Sequence, residues 1–242
     1  MRMAFECQNQ LGRLCEESVY QHDLAARLAA EGIATATEVP LTVAHRAFSK
    51  TYSLDLVVAD AGIYELKTAA SLVGAHEAQL LNYLFLCGAH HGKLVNFRPS
   101  QVESRFVNAA IPPSERSQFT VERDAWQERD GTDRVFRESL LGLLADWGCR
   151  LDLALYTEAL VHFAGGEEQM VRRVPLARGE VGLGTQSFQL INAETAFRVT
   201  GLTDGLADHE RQLRALLRLS ALRTLHWINL ARQHVRLVSL TR

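Results

Sequence analysis

Apolar positions near the start of the chain recur at three- and four-residue steps. Leu14, Tyr20, Leu24 and Leu28 form a stripe that also takes in Glu17, the mark of a helix burying one face. The spacing predicts a helix over residues 8–31, ended by Gly32, where a left-handed residue closes a helix. The period then falls to two. Leu54, Leu56 and Val58 alternate with Ser53, Asp55 and Val57, so residues 52–59 read as a strand. Further strands are predicted over 38–43, 63–68, 92–97 and 104–108. A helix over 72–86 carries Leu81, Leu84 and Phe85 on its apolar face. This order is that of an α/β unit with one mixed sheet flanked by helices. Pro112-Pro113 closes a first domain, residues 1–113, and the charged, aliphatic-poor residues 114–137 read as an acidic connector.

After the connector the pattern starts again. Tyr20 matches Tyr156, an offset of 136, and Val39-Pro40-Leu41 matches Val174-Pro175-Leu176, an offset of 135. Leu56-Val57 matches Leu190-Ile191, at 134. His76-Glu77-x-Gln79-Leu80 matches His209-Glu210-x-Gln212-Leu213, and Leu94-Val95-Asn96-Phe97 matches Trp227-Ile228-Asn229-Leu230, both at 133. Ordered matches with offsets falling by single residues predict that 138–242 is a tandem copy of the first domain.

The hairpin around Asp60-Ala61-Gly62 is where chemistry concentrates. A three-residue loop with Gly62 at the left-handed position pairs Ala59 with Ile63, Val57 with Glu65 and Asp55 with Lys67. Asp55, Glu65 and Lys67 then share a face, while Tyr64 and Leu66 point to the core. Carboxylates on diagonal strand neighbours, with Cβ atoms about 7 Å apart, can converge on one hard cation. A lysine beside them suits a scissile phosphate or an attacking water. The same pattern also describes a hairpin with a solvated charged face, and the residues alone leave both readings open. Glu17 sits in an apolar stripe, where a carboxylate needs a metal or a cationic partner. Gln79 and Tyr83, four apart, project from one side of their helix, with His76 a turn earlier, and all three are expected to bind substrate. Lys67 is one of three lysines against 23 arginines, and a compact ammonium is not interchangeable with a guanidinium.

Composition narrows the class only a little. A chain of 242 residues, 47% hydrophobic and 22% charged, is an ordinary globular protein. No apolar run approaches the roughly 20 residues of a membrane span, and the start of the chain has no apolar signal core; a cytoplasmic protein with no membrane partner is expected. Cys7, Cys15, Cys87 and Cys149 lack paired spacing, so reduced thiols are expected rather than a metal site or disulfide framework. The net charge of −2 conceals an uneven distribution. Residues 114–169 carry six basic and twelve acidic groups; residues 170–242 carry eleven arginines and five acids. Arg211, Arg214 and Arg218, three and four apart, form a basic helical stripe.

Glu17-Ser-Val-Tyr20, Asp55 ahead of Val57-Val58, Glu65-Leu66-Lys67, His76-Glu-Ala-Gln79-Leu-Leu-Asn-Tyr83 and Leu94-Val-Asn-Phe97 resemble, in that order, the GxxExxY proteins of the PD-(D/E)XK nuclease superfamily. The resemblance spans roughly residues 8–110. Two departures are Leu14 in place of the family glycine and Leu54 in place of the proline ahead of the aspartate. The resemblance implies a restriction-endonuclease-like core and a cofactor, Mg²⁺ or Mn²⁺, held by Asp55, Glu65 and the carbonyl of Leu66. It implies Lys67 as catalytic lysine, Glu17 as an added helix-borne acid, and Gln79 and Tyr83 as substrate contacts.

Aligned on the first, the second copy places Gln189 at Asp55, Arg198 at Glu65, Thr200 at Lys67, Leu153 at Glu17 and Leu216 at Tyr83. It reads as a degenerate domain without catalytic residues, whose arginines contact phosphate. The expectation is a metal-dependent nuclease acting on DNA, either a monomeric pseudo-dimer or a homodimer. The rivals are a nucleic-acid- or protein-binding module with a nuclease-like fold, and a subunit of a larger repair or defence complex with protein partners.

Overall fold

A computed structural model describes residues 1–59 and 62–242, apart from the side chain of Pro113. The chain forms two compact units, residues 1–44 with 49–113, and 45–48 with 114–242. No helix among the described residues is long and apolar enough to cross a membrane.

The first unit runs α1 (Arg2–Leu11), α2 (Glu17–Ala30), β1 (Thr35–His45), β2 (Phe48–Val58), β3 (Gly62–Lys67), α3 (Gly74–Cys87), β4 (His91–Asn96) and β5 (Glu103–Asn108). Its strands stand in sequence order in one sheet. β2 and β3 are antiparallel, β3 and β4 parallel, and β4 and β5 antiparallel. The parallel step is the one bridged by a helix, α3, as a parallel crossover demands. Cys7, Tyr20, Leu24, Leu56, Leu66, Val95 and Phe97 make the core on the α1–α2 side, with Tyr20 and Phe97 stacked at 4.5 Å. On the opposite face α3 lies tight on the sheet. A Cβ on Gly92 would come within 3.0 Å of Leu80 Cδ1 and 3.1 Å of Leu84 Cδ2.

The single helix expected over 8–31 is two. Gly12 takes φ 75° and ends α1. Leu14, expected within the stripe, is 86% exposed in the junction. The break is closed from a distance: the Tyr20 hydroxyl donates to the Gly12 carbonyl at 2.8 Å and accepts from the Cys15 N–H at 3.3 Å.

The hairpin register also differs. Leu56 pairs with Tyr64, Val57 with Ile63 and Val58 with Gly62. Among the described residues of the turn, Ala59 takes a left-handed φ of 50°, while Gly62 is already in β3. Of the expected loop, Asp60 and Ala61 lie outside the described residues. Gly62 sits in a close approach, where a Cβ would stand 3.1 Å from both the Tyr64 ring and the Val58 carbonyl. The slip is two residues. Because faces alternate with period two, the sharing of one face by Asp55, Glu65 and Lys67 survives it.

The second unit runs α4 (Pro113–Arg116), β6 (Thr120–Ala125), α5 (Gly131–Trp147), α6 (Leu153–Ala164), α7 (Glu167–Met170), β7 (Val171–Arg178), β8 (Val181–Leu190), β9 (Thr195–Thr200), α8 (Leu206–Leu219), β10 (Thr224–Ala231) and β11 (His234–Thr241). Within residues 114–137, β6 is a strand of this unit's sheet, parallel to β11. The sheet order is β6-β11-β10-β9-β8-β7. β8 and β9 are antiparallel, β9 and β10 parallel, and β10 and β11 antiparallel, the same directions as in β2 to β5. Two local devices recur with the topology. The Tyr156 hydroxyl donates to the Gly148 carbonyl at 2.5 Å, as Tyr20 does to Gly12. Asn229 accepts from the Leu202 N–H and donates to its carbonyl, at 2.8 and 2.9 Å. Asn96 does the same to Ala69, at 3.1 and 2.8 Å.

Candidate active site

The site is assembled where β2 separates from β3. The ladder between them reaches Leu56↔Tyr64. Next along, the Leu66 N–H, which a continued ladder would give to a β2 carbonyl, donates to Asp55 Oδ2 at 2.7 Å. The Asp55 carbonyl accepts from Gln21 Nε2 at 2.6 Å. Gln21 is buried on α2, one turn after Glu17, and also donates to Glu38 at 2.6 Å. The departure of β2 thus leaves no cost in unpaired backbone groups at these positions and fixes the Asp55 carboxylate against β3.

Glu65 is only 2% exposed. Its Oε1 accepts from Lys67 Nζ at 2.7 Å, and its Oε2 is buried with no hydrogen-bond partner among the described residues. Lys67 Nζ also stands 3.8 Å from Glu17 Oε1. Burial and the Asp55 charge push the Glu65 carboxyl up to about 7, against the pull of Lys67. Asp55 is raised by burial, opposed by the Leu66 N–H and by Lys67. Glu17 is raised by burial, opposed first by Lys67. Burial works to lower Lys67, but Glu65, Glu17 and Asp55 together raise it, so the ammonium keeps its proton. Three acids face one lysine: the cluster has more negative charge than it can balance, and a buried carboxylate oxygen without a donor is costly. An added divalent cation answers both deficits.

Asp55 and Glu65 therefore fit a metal as its two carboxylate ligands. Among the described residues no group of three or more His, Cys, Asp or Glu side chains is gathered to hold one, so further ligands have to come from backbone carbonyl or water. Leu66, expected to contribute its carbonyl, engages the site through its N–H.

On α3, Gln79 Nε2 donates to the Tyr83 hydroxyl at 3.0 Å. Burial raises the Tyr83 phenol, Gln79 lowers it, and the charges of Glu65 and Asp55 raise it further. His76 is engaged elsewhere: its Nδ1 accepts from the Val73 N–H at 3.2 Å, capping the start of α3. Gln21, Asn96 and Arg98 support the site without having been singled out in the sequence. Only Asn96, repeated as Asn229, carried a signal there. The four cysteines are free, and burial pushes Cys7 up to about 12 and Cys149 to about 11, so neither is a reactive thiolate.

In the second unit the corresponding face is apolar and cationic. Leu190 pairs with Ala196 and Gln189 with Phe197; one further step sets Phe188 opposite Arg198. The residue on the face of Arg198 is thus Phe188, not Gln189, because a one-residue difference in register reverses the faces. Thr200 is spent on Trp227 and Asn229, at 2.8 and 2.7 Å. In the arginine stripe, Arg211 pairs with Asp208 and Arg214 with Glu210 along their own helix.

Residues 1–107 match the PD-(D/E)XK nuclease superfamily. The match contains every residue of the acidic cluster and its lysine, on an α/β unit with a mixed sheet flanked by helices, and supports a nuclease-like fold for that part of the chain. No curated protein matches the chain. The solved structure of SSO0001 is similar at 22% identity, over 46% of this chain and 63% of its own, with a TM-score of 0.31; no functional inference rests on that likeness.

Proposed function

We propose that the protein is a metal-dependent nuclease that hydrolyses phosphodiester bonds in DNA, a GxxExxY-type PD-(D/E)XK enzyme with its active site in the first unit. The observation that carries this reading is Glu65: an almost fully buried acid with one oxygen on Lys67 and the other without a donor, beside a second acid tied to the same strand. Asp55 and Glu65 would hold Mg²⁺ or Mn²⁺, which when bound lowers the pKa of a water and neutralises charge on the phosphate. Lys67, kept as an ammonium by its acidic neighbours, places a positive charge and hydrogen-bond donor at the scissile group. Glu17 orients Lys67. Gln79 and Tyr83 present a linked amide and hydroxyl to the substrate, while His76, Arg211, Arg214 and Arg218 contribute contacts to the backbone of DNA.

The second unit fits a degenerate copy of the first. The recurring strand directions, the Tyr20/Tyr156 and Asn96/Asn229 devices and the ordered sequence matches support duplication. Phe188, Arg198 and Thr200 stand where two acids and a lysine stand in the first unit, so this copy is read as inert in cleavage and as adding phosphate contacts within a pseudo-dimeric chain.

The test is a cleavage screen over linear and circular, single- and double-stranded DNA, with RNA in parallel, with Mg²⁺, Mn²⁺ or chelator. Metal-dependent cleavage by the wild type, lost in Asp55→Ala and Glu65→Ala, is expected. Binding of DNA with no cleavage under any metal would favour the binding-module reading instead.

A further inference from the structure

We propose that Arg98 is a positioning residue that sets the approach of Glu17 to Lys67. Its guanidinium bridges three backbone carbonyls. Nε donates to Thr68 at 3.1 Å, one terminal nitrogen to Arg13 at 2.8 Å and the other to Cys15 at 3.5 Å. Thr68 directly follows Lys67 at the end of β3, and Cys15 lies two residues before Glu17, which begins α2. One side chain therefore ties the strand that carries the lysine to the junction that launches the acid. Glu17 itself reaches to 3.8 Å from Lys67 Nζ across that tie.

The chemistry of the residue suits this task. Only a planar fork of five donors can serve three carbonyls in fixed directions; a lysine supplies one centre on a flexible stem. Arg98 forms no ion pair among the described residues, so its charge is directed at peptide oxygens and not at an acid.

Arg98 is not a general requirement of the fold. The second unit has the same strand directions and keeps both the tyrosine-to-glycine bond and the asparagine bridge. In its segment Trp227-Ile228-Asn229-Leu230-Ala231 the position of Arg98 is Ala231. That unit has also lost the acid and the lysine, with Leu153 and Thr200 in their places. The clamp is present where there is a Glu17–Lys67 pair to set and absent where there is none, whereas the devices that hold the fold occur in both.

The role in cleavage rests on the nuclease reading above, but the clamp itself can be tested without it. Arg98→Ala, Arg98→Lys, Glu17→Ala and the double variant Arg98→Ala/Glu17→Ala are made in the full chain. Mn²⁺ affinity is followed by electron paramagnetic resonance, and single-turnover cleavage, DNA affinity and melting temperature are measured. Arg98→Ala is expected to weaken Mn²⁺ binding several-fold and to slow cleavage about tenfold or more, as displacement of a positioned group does, with DNA affinity unchanged. Arg98→Lys restores neither. In the Glu17→Ala background Arg98→Ala adds no further loss, because both act through the same carboxylate. Additive effects of the two substitutions, or wild-type Mn²⁺ affinity and rate in a folded Arg98→Ala, would overturn the proposal. So would full rescue by Arg98→Lys. A wild type that cleaves nothing defeats the nuclease reading alone, since the Mn²⁺ cycle still decides the role of Arg98.

Discussion

Lys67 and Glu65 show how a pair of residues acquires a role from burial. On an exposed hairpin their contact would contribute well under 1 kcal/mol and hold no fixed geometry. Here the acid is 2% exposed and the lysine side chain 14%, so each constrains the other. Changing Lys67 to Ala is expected to slow cleavage by about 100-fold or more, the scale of losing one positioned electrostatic group, while DNA affinity measured by fluorescence anisotropy stays within a few-fold. Lys67→Arg should not restore the rate, since the guanidinium is larger and spreads its charge over a plane. That these residues share a face was legible from alternation alone, and a register two residues off did not disturb it. Their burial was not, because a charged face reads identically in sequence whether water or a helix covers it.

At the scale of elements, what fixes the site is a set of side-chain bonds to backbone. Gln21 holds the departing part of β2, Tyr20 closes the α1–α2 junction, and Asn96 braces the chain after β3. Asn96 and Asn229 are buried and do equivalent work in the two units. Asn96→Ala and Asn229→Ala should each lower stability by about 1–3 kcal/mol, the cost of leaving a buried N–H and carbonyl unpaired; urea unfolding checks both. Equal losses from the two would fit a common ancestral device, and a loss from one alone would weaken the case for duplication. The junction at Gly12 was invisible in the apolar spacing. Leu14 continues the helical stripe by chance of position, while the break depends on a hydroxyl eight residues further on.

At the scale of the whole molecule, stability and charge make separate predictions. His226 is fully buried in the second unit, with Nε2 3.1 Å from Asp133 Oδ1, Nδ1 3.0 Å from Ser239 Oγ, and its ring on Trp126 at 4.1 Å. Burial lowers its pKa, against the pull of Asp133. The folded state then binds this proton less readily than the unfolded chain. Its contribution is fully present above the unfolded value of about 6.5 and is lost as pH falls from there through the folded value. Chemical denaturation at pH 7.5, 6.5 and 5.5 should show stability declining with acid, by at most about 1.4 kcal/mol per pH unit from this group, and a His226→Gln variant should have a shallower slope. As for charge, residues 170–242 carry eleven arginines against five acids. Arg211 is held by the exposed Asp208 and Arg214 by the half-buried Glu210 on the same helix, and solvent-accessible pairs of this kind are weak enough to be exchanged for phosphate. Replacing Arg211, Arg214 and Arg218 with Gln should reduce DNA affinity and flatten its dependence on salt, by about one unit of slope for each phosphate that is no longer neutralised. An unchanged slope would remove this helix from the interface.

The sequence by itself determined the order of β1 to β5 with α3 between β3 and β4, the face shared by Asp55, Glu65 and Lys67, the common side of Gln79 and Tyr83 on their helix and the repeat of Asn96 as Asn229. All of these follow from local period and spacing, which the chain carries in its own order of residues. Only the tertiary structure decided which strand residues are partners, where β2 leaves β3, that Phe188 and not Gln189 faces Arg198, and that Glu65 keeps one oxygen without a donor. Those depend on which register the hairpins settle into, on side-chain bonds to backbone such as Gln21 to the Asp55 carbonyl and Asp55 to the Leu66 N–H, and on an exclusion of water that no local pattern places.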